Sequence, residues 1–197
     1  MATLGTQLPF RETSIRAARQ ISVPRMSGMR FFSLIGSLLL FTAAGFCADP
    51  FPGLETESLL NQKVVLPDAA KGHPTVLIIG FTHASQNQMK PWSTSLEPEF
   101  RTYSIAVLED APRLVRPMAI AGMKSGVAQD QRARFLVLTH HEKELKAAAA
   151  FTTPDDAYLL LMDRDGAIRW RFHGALTDTA RAELKSQVAL LEPVESK

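Results

Sequence analysis

The apolar positions of this chain come in short blocks set between polar, turn-forming stretches. Thr75 to Phe81 reads TVLIIGF, a continuous β-branched run that follows the break at Gly72-His73-Pro74. Such a run, bounded by turn signals, predicts a strand buried on both faces, as in a parallel sheet. Tyr103 to Leu108 (YSIAVL), Phe135 to Thr139 (FLVLT) and Ala157 to Asp163 (AYLLLMD) predict three more strands. Asp165-Gly166 is a hairpin turn signal, and Ala167 to Phe172 (AIRWRF) returns from it as a fifth. The segments between predict helices. One runs from about Gln86 to Phe100, begun or kinked near Pro91, and a second from Pro112 to Val127 with Leu114, Met118, Ile120 and Met123 facing inward. Glu142 to Phe151 has the Ala, Glu and Lys content of a good helix former. Thr177 is placed to cap a last helix whose inner face is Ala180, Leu184, Val188 and Leu191. Upstream, Asp49 to Pro67 is punctuated by Pro and Leu, and Lys63 to Leu66 fits a strand or hairpin arm after the turn at Asn61-Gln62.

Alternating strands and helices, closed by a hairpin and a helix, imply an α/β fold with a mixed central sheet covered on both sides, a three-layer α/β/α sandwich. Residues 73–193 are expected to form this domain, with 49–72 as an N-terminal extension. Hydrophobic residues at 46% and charged ones at 21% suit one globular domain with a core of useful size.

Residues 1–48 stand apart. Met26 to Arg30 (MSGMR) is followed by the uncharged apolar run Phe31 to Phe46, which ends among the small residues Ala43-Ala44-Gly45. That order describes a secretory signal. The run is shorter than the roughly 20 residues that span a bilayer, which favours cleavage over retention as an anchor. Cys47 invites a lipoprotein reading, although Phe46 stands where a small residue is wanted. Residues 1–25 are Arg-containing with Glu12 as their one acid, so they read either as a transit peptide or as sequence ahead of a true start at Met26 or Met29. The expected location is across the inner membrane, periplasmic or membrane-tethered. If 1–25 is a transit peptide, it is the mitochondrial inner membrane. Membrane contact is expected only through an uncleaved leader.

The leader holds five arginines and one glutamate, so 17 of the 22 basic and 19 of the 20 acidic residues remain beyond it, a net charge of −2. No basic patch argues for a nucleic-acid partner. Cys47 is the only cysteine, so the domain has no thiol for a disulfide, a metal or nucleophilic attack.

Three local texts carry resemblances. The element order, with Leu161 to Gly166 (LMDRDG) as a late hairpin, resembles the peroxiredoxin-type branch of the thioredoxin fold. Ile78 to His83 (IIGFTH) resembles the G-F-T-H-C segment of the Sco copper chaperones. Met123-Lys124-Ser125-Gly126-Val127, Arg132, and then Ile168-Arg169-Trp170 with Gly174 are similar to the mitochondrial ATP-synthase assembly-factor family with a thioredoxin-like domain. That resemblance runs from about Phe51 to Leu191 and implies a binding or assembly role beside a membrane complex.

The departures weigh as much as the matches. On the Sco alignment the two cysteines fall on Ala84 and Gln88, and the metal histidine falls near Asp155. Cu(I) selects thiolate and thioether donors, and an alanine offers none. Ser85 stands near the place of a peroxiredoxin cysteine, and the proline that usually precedes the late strand aligns near Ala157, with Pro154 close by. No catalytic residue, metal or cofactor is therefore assigned.

Of the remaining polar groups, His83 follows a buried strand at a functional end of such folds, whereas the neighbours His140 and His141 read as a loop. Asp155-Asp156 and Asp163 to Asp165 fit turns better than a cation site. The loop Thr82, His83, Ala84, Ser85 and Gln88 is the candidate binding site. Met123, Ser125, Gly126, Arg169 and Trp170 are the candidate partner surface, with Trp170 either an exposed anchor or core. The expected function is a non-redox binding or assembly factor for a membrane-associated protein. The alternatives are an enzyme of unassigned chemistry around His83 and Ser85, or a metal-handling relative of the redoxins.

Overall fold

The computed structural model describes residues 49–192. The expectations on the signal peptide, the start at Met26 or Met29, the transit peptide and Cys47 lie outside them. The strands are β1 (Asp49–Pro50), β2 (Leu54–Ser58), β3 (Lys63–Leu66), β4 (Thr75–Gly80), β5 (Arg101–Val107), β6 (Phe135–Leu138), β7 (Ala157–Met162) and β8 (Ala167–His173). The helices are α1 (His83–Leu96), α2 (Arg116–Gly126), α3 (Glu142–Ala148) and α4 (Asp178–Leu191).

All eight strands form one sheet in the order β1-β8-β7-β4-β5-β6-β2-β3. β4, β5 and β6 run parallel, while β7 pairs antiparallel on the other side of β4. The sheet is mixed, as the alternating pattern implied. The segment 49–72, expected as an extension, supplies both edges: β1 pairs with β8, and the β2–β3 hairpin joins β6. β2 reads LETES, with Leu54, Thr56 and Ser58 buried and Glu55 and Glu57 exposed. Its two exposed glutamates alternate with the buried positions, so this half-buried strand carries no apolar run.

β4 and β7 are buried at every position, which explains their unbroken apolar text. One face of the sheet packs Leu77, Ile79, Tyr103, Ile105, Leu138 and Leu160 against Leu145 and Ala149 at α3. The other packs Val76, Ile78, Leu159, Leu161 and Trp170 against Met89, Trp92 and Leu96 of α1 and Ala180, Leu184 and Val188 of α4. Helices on both faces make the three layers. Thr177 caps α4 as expected, its side chain accepting from the Ala180 N–H.

α2 departs from expectation. It begins at Arg116 rather than Pro112, and none of its residues is fully buried. Ile120, Met123 and Val127 pack against Leu59, Leu108 and Val137. Leu114 is 94% exposed and Met118 77% exposed, against the inward orientation expected for both. Met118 and Ile120 are two residues apart, about 200° around a helix, so one stripe faces the sheet only if the other faces out.

Candidate functional site

The loop singled out in the sequence sits where β4 meets α1. Thr82 is the N-cap, so α1 starts at His83, ahead of the expected Gln86. Its hydroxyl accepts from the Ser85 N–H at 3.2 Å, while the Ser85 hydroxyl accepts from the Thr82 N–H at 3.1 Å and donates to the Thr82 carbonyl at 2.7 Å. This reciprocal box satisfies donors that a helix start otherwise leaves orphaned. Ser85 is fully buried by it. The helix lies so close to β4 that a Cβ at Gly80 would meet Met89 Sδ at 2.3 Å and Ser85 Oγ at 2.8 Å.

The loop before β7 closes over this start. The Thr82 hydroxyl donates to Asp155 Oδ1 at 2.9 Å. Gln88 donates from Nε2 to Asp156 Oδ1 at 3.4 Å and accepts the Ala157 N–H at 3.3 Å. Asp156 Oδ2 in turn lies 2.8 Å from Nδ1 of His173, at the end of β8. His173 stacks on Tyr158, its register partner, with ring centroids 5.3 Å apart. The Tyr158 hydroxyl accepts from the N–H groups of Thr152 at 2.8 Å and Thr153 at 2.7 Å, and donates to the Thr153 carbonyl at 3.1 Å. Phe81 meets Phe151 and Tyr158 edge-on, and the Lys146 ammonium lies 4.8 Å from the Phe151 ring centroid.

The loop residues thus do come together with a second loop, but in different states. Thr82, Ser85 and Gln88 are engaged in hydrogen bonds, whereas His83 and Ala84 are exposed. Pro154 is preceded by a trans peptide. Nothing in the sequence marks Tyr158 or His173 for this site, and Asp156, read there as a turn residue, joins it as well. Only the β7–β8 register, invisible before pairing is known, brings His173 to Tyr158. Among the described residues no three His, Asp or Glu side chains stand close enough to share a metal ion.

In sequence, the chain matches no family model and no curated protein. Solved structures do match its backbone. BsSco, a member of the Sco family of cytochrome c oxidase assembly proteins, superposes with a TM-score of 0.51 at 14% identity, over 73% of this chain and 96% of its own. A thioredoxin-like superfamily protein gives 0.51 at 16% identity over the same shares. A protein of Aquifex aeolicus VF5 described as an electron transfer protein gives 0.52 at 14% identity, over 74% and 97%. The fold is thioredoxin-like.

The thioredoxin-like frame does not gather the expected partner surface. Met123 packs inward from α2 on the cluster of Leu59, Leu108 and Val137 of β6, while Ser125 and Gly126 are exposed on the same helix. Arg169 and Trp170 lie on β8, with β7, β4 and β5 between, about 19 Å of sheet. One continuous patch is therefore not formed. Trp170 is core: 9% exposed, it stacks parallel to Phe172 and donates from Nε1 to Glu183 at 2.9 Å. Arg169 is the extra residue of a β-bulge, since Leu161 pairs with Trp170 and Met162 with Ile168. It points outward and binds Asp163 Oδ2 at 2.6 Å. Asp163 also accepts the N–H groups of Asp165 and Ala167, so it is turn chemistry. His141 takes a left-handed conformation just before α3, and His140 is exposed in the same loop.

Proposed function

We propose that this thioredoxin-like chain works without thiol chemistry, as a binding or assembly factor for a membrane-associated protein, using the surface around His83 and Ala84. One observation carries the reading. The positions aligned with redox or metal-binding cysteines hold an exposed Ala84 and a Gln88 that is tied to Asp156 and Ala157. The helix start is kept rigid by the Thr82–Ser85 box and the Asp155 contact, yet it presents no thiol. A preserved scaffold with inert side chains suits recognition better than turnover. The resemblance of Met123 to Val127 and Ile168 to Trp170 to an ATP-synthase assembly-factor family supports the assembly role. So does the backbone likeness to BsSco, itself from a family of assembly proteins. Export to the periplasmic side, or the mitochondrial inner membrane if residues 1–25 are a transit peptide, belongs to the same proposal.

The enzymatic alternative at His83 and Ser85 loses support. The Ser85 hydroxyl is buried and already donates to Thr82, and His83 forms no hydrogen bond with it. The test is Ala84→Arg, an exposed position where one cation in the first turn costs under about 1 kcal/mol. The folded variant should lose a partner that wild-type protein brings down from solubilised membranes. If the variant keeps every wild-type interaction, this surface is not the working one.

A further inference from the structure

Among the described residues, six large apolar side chains are exposed, and three of them fall within five positions: Leu114, Val115 and Met118. The outward stripe continues along α2 through Ala121, Gly122 and Ser125, all exposed and none charged. Outer faces of surface helices ordinarily carry charge. The segment is also one-signed. From Ala111 to Gln129 there is no Asp or Glu, while Arg113, Arg116 and Lys124 are all basic. This stands out in residues 49–197, whose net charge is −2. Arg113 makes no ion pair among the described residues. The Arg116 guanidinium donates to the carbonyls of Ala111 at 2.9 Å and Glu109 at 2.7 Å, so no carboxylate hydrogen-bonds to it. The Glu109 carboxylate instead accepts the N–H of Glu142 at 2.6 Å.

We infer that the Arg113–Met118 turn and the outer stripe of α2 dock on an anionic lipid surface. Exposed apolar side chains in the turn before a helix and along its outer stripe, with cations and no acid among them between Asp110 and Asp130, have the composition of an interfacial segment. A second copy of the chain fits less well. A stable dimer needs roughly 800 Å² from each partner, more than three side chains and a strip of Ala, Gly and Ser can cover. Leu114 and Met118 enter the acyl boundary while Arg113 meets lipid phosphates. This contact is separate from the loop at His83 and does not depend on it.

The eight-stranded sheet and the three core clusters of the described residues are built within 49–192, so chain 49–197 is the form to test, its fold checked by circular dichroism. The probes are vesicles of phosphatidylcholine alone and of phosphatidylcholine with phosphatidylglycerol. Wild type should sediment with the anionic vesicles and not with the neutral ones. Leu114→Ser with Met118→Ser should weaken binding about tenfold or more, and Arg113→Glu by at least about fivefold. Leu190→Ser, at an exposed apolar position on α4, should change nothing. No binding to anionic vesicles, equal binding to both, or equal loss in the Leu190 variant would each overturn the proposal. So would a dimer in solution, or a captured protein, that the Leu114/Met118 variant abolishes while vesicle binding is absent.

Discussion

At the Asp165-Gly166 turn the two carboxylate oxygens of Asp163 accept from the N–H groups of Asp165 and Ala167 and from Arg169 Nε, at 2.9, 2.9 and 2.6 Å. Burial pushes this carboxyl up, but the hydrogen bonds from Ala167, Arg169 and Asp165, with the Arg169 charge, outweigh it and hold the group below its ordinary value. A carboxyl depressed in the folded state contributes stability above its unfolded pKa, and loses it as pH falls through the folded one. Asp163→Asn should therefore destabilise the protein by about 1–3 kcal/mol at neutral pH. The gap between variant and wild type should close as the pH drops below the carboxylate range. Urea midpoints for both proteins across that range check it, and a gap that widens in acid would contradict the assignment. The sequence marked the turn, since Asp-Gly is a strong hairpin signal. It could not show that a bulge turns Arg169 toward Asp163, because a bulge exists only once two strands pair.

Among the elements, α1 separates local from tertiary information most clearly. Its body is legible but its start is not, because Thr82 and Ser85 form a reciprocal cap without the Glu or Gln that usually marks one. Thr82→Ala should cost about 1 kcal/mol through the cap, and more if the Asp155 bond at 2.9 Å contributes. Ser85→Ala removes the other half of the same box. The double variant should then be less destabilised than the two single effects added, since each mutation spoils what the other would lose. Thermal melts of the four proteins read the coupling, and strict additivity would mean that the two hydroxyls act separately. Strands β4 and β7 were legible for the opposite reason. Burial on both faces forces an unbroken apolar text, whatever their neighbours. β2 is not, because LETES looks polar. α2 is legible as a helix, but its inner face is not, because two apolar stripes compete along residues 114–127 and only packing selects between them.

In the whole molecule, residues 49–72 provide β1 at one edge and the β2–β3 hairpin at the other, so the N-terminal segment is built into both ends of a single sheet. The βαβ order told the fold class from the alternation of patterns alone, but it could not tell where the polar edge strands dock. The candidate site was half legible in the same way. Thr82 to Gln88 follows a strand recognisable by eye, while Asp156, Tyr158 and His173 join it only through long-range pairing. This continuity has a thermodynamic consequence. Trp92 and Trp170 lie in one cluster under α1 and α4, and that cluster shares strands β4, β7 and β8 with the core on the opposite face. Losing either layer uncovers one face of strands that the other layer also packs on, so chain 49–197 should unfold in one two-state step. Tryptophan fluorescence, which reports one face, and far-ultraviolet circular dichroism, which reports the backbone, should give the same urea midpoint. Adding dithiothreitol should leave that midpoint where it is, since no cysteine lies in those residues. A fluorescence transition well below the dichroism transition would mean that the α1/α4 layer detaches first and that the sheet does not bind the two faces into one unit.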